Sequence, residues 1–121
     1  MTLAARLFVL FAVAGAPLAW IGQLLLGYVL EESACSAGDG EEVWGLGVHA
    51  WHVIVGTAAL AVAVTALAAA AALRAGATAG DLDPPDRGFL ASWGLVAAAL
   101  FAFTIVLTGV GSTVLDSCRG G

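Results

Sequence analysis

Three long apolar runs decide what this chain can fold into: Leu7 to Leu30, Trp44 to Leu73 and Phe89 to Leu115. None contains Asp, Glu, Lys or Arg. Each supplies the roughly 20 apolar residues that an α-helix needs to cross a hydrocarbon core of about 30 Å. With 61% hydrophobic and 11% charged residues among 121, a water-soluble domain of this size could not hide its apolar surface. The expectation is an all-α integral membrane protein, one domain over residues 1–121, with transmembrane helices at about 7–30, 44–73 and 89–115.

The N-terminus imitates a signal peptide, with Arg6, an apolar run and the small residues Ala14-Gly15-Ala16. The run continues to Leu30, well past the usual length of such a segment, so the first helix is expected to be retained. Glu32-Ser33-Ala34 before Cys35 does not form a lipoprotein signal.

Charge gives the orientation. All basic residues are arginines, four in the whole chain, which leaves no nucleic-acid footprint. Arg6 precedes the first run, and Arg74 and Arg87 bracket the second loop. The first loop, Glu31 to Val43, carries Glu31, Glu32, Asp39, Glu41 and Glu42 and no basic residue. Arginines near span ends mark the cytoplasmic side. The chain is therefore expected N-in and C-out, with Arg119 alone on the outside.

That orientation puts Cys35 and Cys118 on one external face, beyond helices 1 and 3. An even cysteine number in an oxidising compartment reads as a disulfide clasping those two helix ends. The competing reading is a pair of metal-binding thiols, for example for copper, which lacks a nearby methionine cluster.

Helix 2 has the most legible face. His49, His52, Gly56, Ala59, Ala63, Ala66 and Ala70 follow alternating steps of three and four. Small residues at that spacing let helix backbones approach closely, so Gly56, Ala59, Ala63, Ala66 and Ala70 form a candidate packing seam. An alanine-rich segment also produces such a stripe by composition alone. In helix 1, Pro17 predicts a kink, and Trp20, Gln23 and Gly27 share a face. Tyr28, Trp44 and Trp93 lie where boundary aromatics are comfortable. Asp83-Pro84-Pro85-Asp86 reads as a stiff turn before helix 3.

Counting 1.5 Å per residue inward from the outer end of each run puts Gln23, His52 and Thr108 at about one depth. One polar side chain per helix at one level suggests a hydrogen-bonded layer that sets register. His49 or His52 could instead ligate haem, or join Glu41 and Glu42 at a metal. Standing at i and i+3 on one helix, they cannot be opposite ligands of one haem, so a second chain would supply the other. The plainer alternative makes His49 an interface residue and His52 a hydrogen-bonded core residue. Spans without a carboxylate, and a sequence without HExxH, CxxCH or a Ser/His/Asp set, give no expectation of catalysis by this chain alone.

Two stretches carry a resemblance: Pro17-Leu18-Ala19-Trp20…Gln23-Leu24…Gly27-Tyr28…Cys35, and Phe89-Leu90-Ala91…Phe101…Ile105…Leu115-Asp116…Cys118. The chain resembles small three-helix membrane proteins found alongside haem-copper cytochrome c oxidases in bacteria. It departs from them at Asp116-Ser117, where a proline before the final cysteine would be typical. The resemblance implies a non-catalytic accessory subunit of a respiratory complex in the bacterial inner membrane, partnered by other subunits and by lipid, with no cofactor of its own. The alternatives are a haem- or quinone-binding electron-transfer protein using His49 or His52, and an oxidase assembly or copper-delivery factor.

Overall fold

The computed structural model describes residues 2–36, 42–78 and 86–114. They form three helices, α1 (Leu3–Ser36), α2 (Val48–Thr78) and α3 (Asp86–Val114). Between α1 and α2 stands a short antiparallel hairpin of β1 (Glu42–Val43) and β2 (Leu46–Gly47). All three helices are long and apolar enough to cross a membrane. A lipid-embedded backbone must satisfy its own hydrogen bonds, which a helix does within each segment. The charged residues on these helices, Arg6, Glu31, Glu32, Arg74, Asp86 and Arg87, all stand near helix ends.

Because the helices are apolar nearly all round, polarity cannot tell an inner face from an outer one. Size does. Ala12, Ala16, Ala63, Ala66, Ala70, Ala91 and Ala98 are all at most 1% exposed, and the only fully buried larger side chains among the described residues are Ile105 and Val48. Many leucines, valines and phenylalanines, among them Leu18, Leu25, Val96 and Phe103, point outward, where lipid is as good a solvent as another side chain. Burying them would win little, whereas small residues let backbones meet and gain dispersion contact.

Two glycines mark the tightest approaches. A Cβ on Gly94 of α3 would stand 2.8 Å from the Ala12 carbonyl oxygen of α1, and one on Gly15 would stand 3.1 Å from the Ala66 Cβ of α2. Every alanine of the helix 2 seam is buried, with Ala59 and Ala63 packed around Ala16, Ala98 and Ile105. Ala70 packs lower down with Ala12 and Ala69. α1 continues through Pro17. That residue brings no N–H for the carbonyl one turn back.

The helix boundaries differ from the sequence expectation. α1 runs past Leu30 to Ser36, so Glu31 and Glu32, expected in the first loop, lie on the helix. Hydropathy stops at the first charge, but a helix near the membrane boundary does not. α2 starts at Val48 rather than Trp44. Trp44 and Gly45 have φ values of 52° and 81°, the pair of positive angles that a two-residue hairpin turn demands. Trp44 therefore turns a hairpin instead of opening a helix, with its ring edge-on to Trp51 at 6.0 Å. At the other end α2 continues through Arg74 to Thr78, and α3 already begins at Asp86. Asp83, Pro84 and Pro85 lie outside the described residues.

Candidate functional site

Polar side chains gather where the end of α1 that carries Cys35 meets the start of α2 and the end of α3. Gln23, Leu24, Gly27, Tyr28 and Glu31 of α1, His52 of α2, and Thr108 and Ser112 of α3 line one cleft of about 200 Å³. Helical spacing builds this face. Trp20, Gln23, Gly27, Glu31 and Ala34 follow steps of three and four along α1.

His52 forms the back of the cleft. It is 6% exposed, and its Nε2 lies 3.1 Å from Glu31 Oε1. An ionised carboxylate only accepts, so it sets the tautomer with the proton on Nε2. Gly27 makes the room for this, since a Cβ there would stand 3.3 Å from His52 Cε1. The carboxylate end is the wetter one, with a Glu31 side chain 40% exposed against 7% for His52.

One turn deeper, Gln23 is also 6% exposed and donates from Nε2 to the Ile105 carbonyl of α3 at 3.3 Å. Its amide lies over the glycine pair where α2 and α3 cross: a Cβ on Gly56 would be 3.4 Å from Gln23 Nε2 and 4.0 Å from Gly109 Cα. Trp20 donates from Nε1 to Thr108 Oγ1 at 3.3 Å and packs tilted on Phe101 at 5.5 Å. Ser112 donates back to the Thr108 carbonyl at 2.9 Å.

Gln23, His52 and Thr108 thus line one cleft but stand on two successive turns, and each bonds to a different group. The count of depth misjudged two ends: α1 projects further out and α2 begins later, and both displacements set Gln23 deeper than His52. Glu31 is the residue that sequence reasoning placed wrongly. The spacing that joins Gln23 and Gly27 reaches Glu31 at the next step, which was the available signal.

The histidines differ in their surroundings. An iron at His52 Nε2 would have to displace Glu31. His49 is partly buried, and its Nδ1 has no hydrogen-bond partner among the described residues. Among those residues no three His, Cys, Asp or Glu side chains converge as a metal site. Glu41 lies outside them, so the metal reading with Glu41 and Glu42 falls there too. Cys35 sits exposed near the end of α1, and no cysteine among the described residues is free. Cys118 lies outside the described residues. At the opposite end of the bundle, the Arg74 guanidinium donates from Nη1 to Ser92 Oγ, tying α2 to α3.

Fold and site together define a multi-pass membrane protein: three apolar spans around a small-residue core, with a His–Glu pair and a buried glutamine at one end. Compared with protein-family models, curated proteins and solved structures, the chain matches none.

Proposed function

We propose that this chain is a non-catalytic accessory subunit of a larger complex in the bacterial inner membrane, and that the complex is a respiratory haem-copper oxidase. The observation that carries the proposal is the division of labour between its faces. The interior is filled by alanine and glycine, so little of each helix is needed to hold the bundle together. The outside offers shaped apolar surface for lateral packing. A groove between α2 and α3, formed by Val53, Gly56, Thr57, Val106, Gly109 and Val110, has glycines at its floor on both helices. Small-residue grooves are what membrane helices pack into. The resemblance to oxidase-associated proteins supplies the identity of the complex.

In this reading Arg6 and Arg74 lie on the cytoplasmic side, and the polar cleft and both cysteines lie outside. A bridge from Cys35 to Cys118 holds the outer ends of α1 and α3 together. For so long a loop the chain-entropy value is about 4–5 kcal/mol, and confinement in the bilayer lowers it. The test is gentle solubilisation of native membranes with a tag on this chain, followed by native electrophoresis and an absorption spectrum. Co-migration with haem-bearing oxidase subunits is expected. Recovery of the chain free of any larger complex overturns the proposal.

A further inference from the structure

Gln23, one of the residues lining the polar cleft, carries an acceptor that the fold leaves without a role. Gln23 is 6% exposed, and its Nε2 donates to the Ile105 carbonyl. A carbonyl only accepts, so the amide orientation is set and the other end of the amide is the oxygen. Gln23 Oε1 is buried with no hydrogen-bond partner among the described residues. Buried polar atoms in folded proteins are paired in the great majority of cases. The partner that suits this one is a donor.

The inner part of the cleft is also short of donors, the Tyr28 hydroxyl standing at its exposed mouth. Glu31 presents a carboxylate, which has lone pairs beyond the one that meets His52. His52 directs its proton at Glu31, and Ser112 directs its own at the Thr108 carbonyl. Thr108 receives the Trp20 proton and keeps a single hydroxyl proton. At the mouth stand Leu24 and Tyr28, both exposed on the lipid side. A cavity of about 150 Å³ accommodates benzene. The cleft, at about 200 Å³, has room for one substituted six-membered ring.

We propose that this cleft binds the hydroxyl-bearing ring of a lipid-soluble molecule, of which a hydroquinone with an apolar tail is the simplest case. One hydroxyl donates to Gln23 Oε1 and the second to the Glu31 carboxylate. The tail leaves past Leu24 and Tyr28 into lipid. Since both ends of the cleft accept, the site selects the dihydroxy form over the corresponding quinone, whose two oxygens only accept. The proposal concerns binding to the isolated chain and stands or falls separately from docking on an oxidase.

The experiment is equilibrium binding to the purified full chain in lipid nanodiscs under argon. The probe is a radiolabelled hydroquinone with a ten-carbon tail, compared with its dimethyl ether and its quinone. Saturable binding of the hydroquinone is expected, with the ether and the quinone, which lose both donated hydrogen bonds, each about a hundredfold weaker. Gln23→Met, which removes one of the two acceptors, should weaken hydroquinone binding about tenfold and leave the ether unchanged. Equal affinity for hydroquinone and ether, or no saturable hydroquinone binding, overturns the proposal. That comparison uses the unaltered protein, so a misfolded variant cannot decide it. Hydroquinone binding that survives Gln23→Met in a folded variant overturns it as well.

Discussion

His52 Nε2 and Glu31 Oε1 meet at 3.1 Å across the junction of α2 and α1, with the imidazole buried and the carboxylate partly open. The pair gives a buried ring an acceptor in the outer part of a bundle otherwise held by alanine contacts. Truncating Glu31 leaves a polar ring in an apolar wall, whereas truncating both partners removes the problem.

Glu31→Ala should therefore destabilise the protein by about 1 kcal/mol, within the range measured for polar contacts between membrane helices. Glu31→Gln, which keeps an acceptor, should lose less. The double variant Glu31→Ala with His52→Leu should recover part of the loss. Unfolding midpoints in one detergent check this. A double variant as unstable as the sum of the two single ones would refute the coupling.

Backbone contact, more than side-chain burial, holds α1 against α3. Gly94→Ala places a methyl 2.8 Å from the Ala12 carbonyl oxygen, and backbone must shift to admit it. The expected loss is about 1–3 kcal/mol. Gly22 of α1 has nothing within 4 Å of its missing Cβ. Gly22→Ala should therefore be neutral, or stabilising by up to about 1 kcal/mol through helix propensity. Comparable losses from both would contradict the contact geometry.

The same logic separates two neighbouring alanines on α2. Ala63 is 0% exposed inside the seam, whereas Ala61 faces outward. Ala63→Leu should cost about 1–3 kcal/mol by overpacking, and Ala61→Leu should change stability by less than about 0.5 kcal/mol. Parallel unfolding curves of the two variants provide the check.

For the proposed external clasp, the native protein should react with no maleimide until a reductant is added, after which two thiols per chain should label. Labelling should proceed from the outside of intact cells, and a periplasmic reporter fused to the C-terminus should be active. Immediate labelling without reductant would remove the bridge. An inactive reporter would reverse the topology.

The number of spans and their all-helical character were legible because hydropathy averages over many residues and tolerates local error. The seam on α2 was legible for a related reason, since Gly56, Ala59, Ala63, Ala66 and Ala70 keep their spacing whatever packs against them. The ends were not. Trp44 reads as apolar and helix-like, yet its positive φ closes a hairpin turn, a conformation that depends on where β1 and β2 pair. Glu31 reads as loop because it is charged, although the helix carries it one turn beyond Gly27.

By itself, then, the sequence determined the solvent of this protein, the count of its helices and the small-residue faces by which they touch. Those are properties of composition and spacing, carried within each segment. Only the tertiary structure decided that Glu31 would turn inward to His52, and that Gln23 would bond to the Ile105 backbone and keep its oxygen buried. It also decided that Gly94 would lie against Ala12. These facts depend on the relative translation of helices whose apolar surfaces are nearly uniform. Register between such surfaces is settled by a few polar side chains and a few missing ones, and no single segment contains both partners.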